Sequence, residues 1–236
     1  MDLERYSKIT NKNKREIVLL KGFPCKWGRC TFCDYIEDND THEEEMIKLN
    51  NEILKNVTGE FKQLEVINSG SCFELPEATL KEIKEVIQNK AIDTLYFESH
   101  WIYKNRLNEI RDFFSPTTVI FKTGIETFDD NFRNNILKKG IKLKTPYEAG
   151  DIFDSVCLMF GIEGQTKESI AYDIDCALKS FKRICINIYV ENSTKFKRDE
   201  ELIKWFKENY SYLEENPSVE ILWNNTDFGV GGELNE

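Results

Sequence analysis

No run of apolar residues in this 236-residue chain approaches the roughly 20 that a membrane-spanning helix needs. The opening stretch, MDLERYSKITNKNKRE, is charged and polar, the pattern of neither a secretory signal nor a membrane anchor. A cytoplasmic protein is expected, and there thiols stay reduced. The seven cysteines are therefore not a disulfide framework. Positive charge is in deficit: 32 lysines and arginines against 42 acids leave a formal net charge of −10. Nucleic-acid binders draw much of their affinity from neutralising phosphates, so direct tRNA binding is not expected and a small-molecule substrate is. The basic stretch FKRICINIYVENSTKFKR (181–198) reads as a solvated face. Low-complexity segments and Pro/Gly-rich linkers are missing as well. That points to a single domain over 1–236, with a core of about 16–210 and a segment, 217–236, closing or capping one end.

What is present is an alternation. EIVLLKG (16–22), QLEVINSG (63–70), IDTLYFES (92–99), TTVIFKTG (117–124), FDSVCLMFG (153–161) and RICINIYV (183–190) read as buried strands apolar on both faces, and VEILWNN (219–225) as a possible last one. Between them lie amphipathic stretches with helical spacing: 43–57, 76–89, near 103–114, 129–140, 166–181 and 199–209. Strand followed by helix, about six times, implies parallel strands with crossover helices. No glycine-rich dinucleotide loop follows the first strand, which favours a partial (β/α)6 TIM-like barrel over a doubly wound nucleotide fold. Chemistry then belongs at the carboxyl ends of the strands, where the unusual clusters fall: Cys25–Cys33, Asn68–Phe73, Glu98–Trp101, Lys122–Glu126 and Gly161–Thr166.

The sharpest of these is CKWGRCTFC, which sets Cys25, Cys30 and Cys33 on one loop. Thiolates select zinc, copper(I) or iron–sulfur clusters. A structural zinc site wants four ligands, usually in Cys-x2-Cys pairs. Only one such pair exists here, no histidine lies in the loop, and His42 heads a helix nine residues on. Three cysteines suit a cubane that leaves its fourth iron open. Zinc and three inert buried thiols are the alternatives. Cys157, Cys176 and Cys185 sit in strand or helix patterns and read as packing residues.

With Phe32 before the third cysteine, the loop resembles the cluster loop of the radical S-adenosylmethionine (SAM) enzymes, although its first gap is one residue longer than the usual three. INSGSCF, FESHW, GIETFDDNFRNNILKKG and GIEGQTKES resemble, in order, further motifs of that family, so the resemblance spans residues 16 to about 200. It implies a radical SAM partial barrel. Cys25, Cys30 and Cys33 would hold a 4Fe-4S cluster, and SAM would be cleaved to a 5'-deoxyadenosyl radical. It also implies SAM contacts: Phe32 beside the cluster, the turn Ser69-Gly70-Ser71 toward the amine, Glu126 on the ribose, Arg133 or Lys122 on the carboxylate, and Gly161 near the adenine. An electron donor such as flavodoxin or ferredoxin is implied too.

The compact, acidic chain carries no second cysteine cluster and no RNA-binding module, and its motifs have the flavour of 7-deazaguanine chemistry. It resembles the queuine-salvage lyases, which implies cleavage of the glycosidic bond of queuosine or queuosine 5'-phosphate. Such a base asks for carboxylates, amides and aromatic walls. The strand-end candidates are Glu98, His100, Trp101, Asn187, Asn192, Trp223, Asn225 and Asp227. The alternatives are a radical enzyme acting on tRNA itself and a non-catalytic iron–sulfur or zinc protein.

Overall fold

The computed structural model describes residues 3–224. These form two compact units. The first holds the chain up to Gly28 and Tyr35–Phe121; the second holds Arg29–Asp34 and the chain from Lys122.

In the first unit β1 (Tyr6–Ile9) runs antiparallel to β2 (Arg15–Leu20), and β3 (Gln63–Asn68) and β4 (Thr94–Glu98) follow in parallel. The strands are short runs of aliphatic and aromatic residues, which suit a pleated, buried surface. One face carries Val18, Leu20, Leu64, Val66, Leu95 and Phe97, all essentially solvent-free. Phe97 packs on Phe114 of α3 (Leu107–Phe114) at 5.5 Å between ring centroids. The other face mixes Ile17, Leu19 and Ile67 with Tyr96, Glu98 and a buried ion pair, Arg15 Nε to Glu65, at 2.5 Å. Glu16 is wholly buried. It accepts from the backbone N–H groups of Thr58 and Gly59, each at 2.7 Å, and from the Tyr6 hydroxyl at 2.8 Å. α1 (Glu43–Leu54) opens with three glutamates, which the positive end of the helix favours. α2 (Glu77–Lys90) starts directly after Pro76 and ends at Ala91 in a left-handed conformation.

In the second unit β5 (Thr118–Glu126, entering from the first unit), β6 (Ser155–Phe160), β7 (Arg183–Ile188) and β8 (Val219–Leu222) are parallel neighbours. α4 (Lys167–Ser180) is capped by the Thr166–Ser169 box, and α5 (Glu200–Tyr210) by Asp199, which accepts from the Leu202 N–H at 2.9 Å. One face of β6–β8 is apolar: Val156, Leu158, Phe160, Ile184, Ile186, Val219 and Ile221, with Phe160 against Phe206 of α5. The opposite face reads Ser155, Cys157, Met159, Arg183, Cys185, Asn187, Glu220. Arg183 pairs with Glu220 across it at 3.1 Å.

Three expectations change. The strands are apolar on one face only, because each unit threads an ion pair through the other. A helix over 129–140 is replaced by one π-helical turn, Phe132–Ile136. Arg133 Nε and Asn134 Nδ2 both donate to the Ile141 carbonyl, at 3.1 and 2.8 Å, folding the chain back where a helix would have continued. The helix expected near 103–114 begins at Leu107, after a 3-10 turn over Trp101–Tyr103. Strand β1 was not foreseen. Of the segment 217–236, residues 219–222 form β8, while 225–236 lie outside the described residues.

Candidate active site

The first unit supplies the start of the cysteine loop and the turns after β3 and β4. The Cys25 N–H donates to Asn39 Oδ1 at 3.0 Å, and Asn39 Nδ2 donates to the carbonyl and the hydroxyl of Ser69. Gly28 has φ +53, a left-handed conformation that costs glycine little. Ser69 and Ser71 are buried; the Ser69 carbonyl accepts one internal bond, from Asn39, whereas the Ser71 carbonyl accepts two, from Asn68 Nδ2 and from the Glu74 N–H. A carbonyl oxygen has a second lone pair, so Ser69 keeps acceptor capacity while Ser71 is saturated.

Beneath this turn lies Glu74, a residue that sequence reasoning passed over. Its carboxylate accepts from the Ser71 N–H, from the Lys26 N–H at 3.2 Å and from the Tyr103 hydroxyl at 2.7 Å. Burial, and then Glu74, raise the Tyr103 hydroxyl well above its ordinary pKa. The signal was in the sequence: Ser71-Cys72-Phe73-Glu74 is a capping box. His100 donates its backbone N–H to Ser71 Oγ at 2.9 Å, and its ring stacks on Trp27 at 5.5 Å. Trp101 is buried under Lys104, 4.1 Å from the ring centroid. Glu98 closes β4 on the face that also holds Tyr96 and Glu65. His42 bonds Asp40 at 2.9 Å in an exposed group with Glu45.

The second unit supplies the rest of the loop. The Thr31 N–H and hydroxyl donate to the carbonyls of Leu137 and Ile136, at 3.0 and 2.7 Å. The Cys33 N–H reaches the Cys30 carbonyl at 3.5 Å. Phe32 packs on a cluster of Phe132, Leu137, Met159, Ile162, Tyr189 and Phe196. At the end of β5 the register shifts by one residue between Gly124 and Glu126, and Glu126 takes φ +67. Such a bulge re-aims a side chain. A Cβ at Gly124 would stand 2.5 Å from Glu126 Oε1, so a side chain there would displace the Glu126 carboxylate. Glu126 pairs with Lys139 Nζ at 2.6 Å, and Lys139 also lies over the Phe32 ring at 5.5 Å. Lys139 was missed: as part of Lys-Lys-Gly it reads as the polar end of a helix.

The remaining expected residues divide. Lys122 lies on β5 beside Cys157, whose thiol is pushed up by its bond to Cys185 and by burial while Lys122 draws it down. Asn187 donates to Cys157 Sγ at 2.9 Å, on the polar face. Gly161 has φ +81, and a Cβ there would strike Ile203 at 2.2 Å. Arg133 is buried with its guanidinium engaged internally, by the Thr127 carbonyl at 2.9 Å, the Ile141 carbonyl and Asp130. Burial lowers its pKa. Asn192 donates to the Phe32 carbonyl. Trp223 packs on Phe206 and Lys207 of α5 and donates to Glu214. Asn225 and Asp227 lie outside the described residues.

No protein-family model and no curated protein matches the chain. Solved structures do. A queuine lyase from Clostridium spiroforme, bound to SAM and queuine, is 53% identical, covers 98% of this chain and 100% of its own, and superposes with a TM-score of 0.94. The chain belongs to the queuine lyase family of radical SAM enzymes. It has their α/β partial-barrel fold. Streptococcus suis SuiB matches at 11% identity and a TM-score of 0.54 over 87% of this chain and 48% of its own, a likeness of fold alone. The cofactors of the family are SAM and a 4Fe-4S cluster. The chain's donors suit the cluster: Cys25, Cys30 and Cys33 stand outside any disulfide at partly accessible loop positions, while the other four cysteines are buried. The substrate is a small molecule. No helix among the described residues is long and apolar enough to cross a membrane.

Proposed function

We propose that this chain is a radical SAM lyase that cleaves the C–N glycosidic bond of queuosine or its 5'-phosphate and releases queuine. The observation that carries this reading is the full-length likeness, at 53% identity, to a queuine lyase bound to SAM and queuine. In this reading residues 1–236 form one catalytic domain.

Cys25, Cys30 and Cys33 each ligate one iron, and Phe32 shields the last two from water. When bound, the cluster and SAM supply hydrogen-atom abstraction from the substrate. The chain's own task is to bind, orient and exclude solvent. The Ser69-Gly70-Ser71 turn offers the Ser69 carbonyl to the SAM amine, braced from below by Glu74, which holds the Ser71 N–H. Glu126, turned by the bulge, accepts from the ribose hydroxyls. Lys122 is the candidate for the SAM carboxylate, since Arg133 is occupied with the loop after Glu126. Gly161 admits the adenine. Glu98 and Asn187 supply hydrogen-bonding partners for the deazaguanine and its amine, with His100 and Trp101 as the wall. A flavodoxin or ferredoxin in the cytoplasm supplies the electron.

The test is anaerobic. Reconstituted enzyme, SAM and reductant are mixed with queuosine, its 5'-phosphate or intact tRNA, and queuine and 5'-deoxyadenosine are followed by mass spectrometry. Queuine from a monomer but not from tRNA is expected, with little response to salt. Turnover on tRNA alone, with a steep salt slope, would instead identify a tRNA-modifying enzyme.

A further inference from the structure

The geometry points to Lys139 as a positioning residue that holds Glu126 in place and balances the charge of Cys30 and Cys33 when those thiolates carry the cluster. The inference rests on the reading of those thiols as cluster ligands and of Glu126 as a SAM contact. It gives a role to a residue that lies within the stretch GIETFDDNFRNNILKKG but to which the sequence reading assigned none.

Four observations converge. Lys139 Nζ lies 2.6 Å from Glu126 Oε1, and the two side chains are only 12% and 9% exposed. The ammonium also stands over Phe32, the residue between Thr31 and Cys33. The backbone of Lys139 is fixed, because its N–H donates to the Arg133 carbonyl at 3.0 Å. The cysteine loop is tied to the same turn, because Thr31 bonds the Ile136 and Leu137 carbonyls. Lys139 and the thiols therefore share one local frame and do not meet by chance of a long flexible side chain.

The electrostatics agree. Burial works against the charge on Lys139, yet the Glu126 carboxylate and negative charge at Cys30 and Cys33 hold its pKa above the usual lysine value. A carboxylate and two thiolates near one another repel, and a single cation among them lowers that cost. Reducing the cluster adds a further negative charge to the same place. The cation therefore favours the reduced form more than the oxidised one. Without it the cluster is harder to reduce, and Glu126 loses the partner that holds its orientation.

Lys139→Met, Lys139→Arg and Glu126→Gln are reconstituted anaerobically without substrate. Iron content, the cluster's reduction potential by an EPR-monitored titration, and SAM affinity by calorimetry are measured. Lys139→Met should load iron and shift the oxidised-to-reduced ratio at a fixed poise at least tenfold toward the oxidised form, about 59 mV for a one-electron couple. Its SAM affinity should fall about tenfold, and Lys139→Arg should stay near wild type in both. Loss of iron in Lys139→Met with normal loading of Lys139→Arg also supports the inference, since only the charge distinguishes them. A wild-type potential in loaded Lys139→Met overturns it, as does a Lys139→Arg variant that fails alongside Lys139→Met. Glu126→Gln separates the two readings. If it keeps wild-type SAM affinity while Lys139→Met shifts the potential, the ribose assignment fails and the charge balance stands.

Discussion

The side-chain amide of Asn192 donates to the backbone carbonyl of Phe32 at 2.9 Å, joining positions 160 residues apart. Asn192 Oδ1 meanwhile accepts from the Thr194 N–H and hydroxyl, at 3.0 and 2.7 Å. The side chain is thus committed to its own turn and to the cysteine loop. Asn192→Ala should loosen that loop by about 1 kcal/mol, and iron should pass to a chelator roughly fivefold faster. An unchanged rate combined with weakened substrate binding would return Asn192 to the substrate contacts.

The three loop thiols should act as one unit. Cys30→Ala is expected to abolish iron uptake and the visible cluster band together. Cys157→Ala and Cys176→Ala should retain both, because those thiols are buried on β6 and α4. A full iron complement in Cys30→Ala would remove it from the ligands.

Asp173, buried on α4, accepts from the Phe128 N–H at 2.5 Å, just beyond Glu126. Burial raises its pKa to about 7. The native state therefore binds a proton that the unfolded chain releases near the ordinary carboxylate value. Stability must fall as pH rises from about 4 to about 7, by at most about 4 kcal/mol from this group. Asp173→Asn should flatten that slope in denaturant titrations taken at several pH values. A slope equal to wild type would show that Asp173 is ionised throughout.

Glu16 gathers two backbone N–H groups and a tyrosine hydroxyl at the base of β2. Burial opposes its charge, but these donors outweigh it and lower its pKa. Its stabilisation is complete above the ordinary carboxylate range and is lost as pH falls through the lowered native value. Glu16→Gln replaces one acceptor oxygen with a donor facing donors. It should cost about 1–3 kcal/mol by urea unfolding at neutral pH, with SAM affinity unaltered once folded.

The alternation of aliphatic runs and amphipathic stretches was enough to read β2 to β8 and most of the helices, because both periods are local. β1 was not legible: Tyr6-Ser7-Lys8-Ile9 is a short, partly exposed run whose pairing with β2 is its main support. The ion pair Arg15–Glu65 joins residues 50 apart, so the polarity of one sheet face could not be seen from either strand alone. The cysteine loop stood out because three soft ligands in nine residues are rare in any other context. Glu74 was legible in principle through its capping box. Lys139 was not, because nothing beside it announces that the chain turns back at Ile141 and sends its ammonium to the end of β5.

The two unlike faces of β6–β8 have a consequence for how such an enzyme changes over generations. The apolar face, seated against residues such as Phe206, carries the folding of the second unit. Cys157 and Asn187 project from the other side of the same strands. Variation confined to those positions leaves the folding layer untouched, so new ligand preferences can be sampled at little risk of losing the fold. A library randomised at Cys157 and Asn187 alone, with the Arg183–Glu220 pair kept, would explore substrate choice on a scaffold that stays constant.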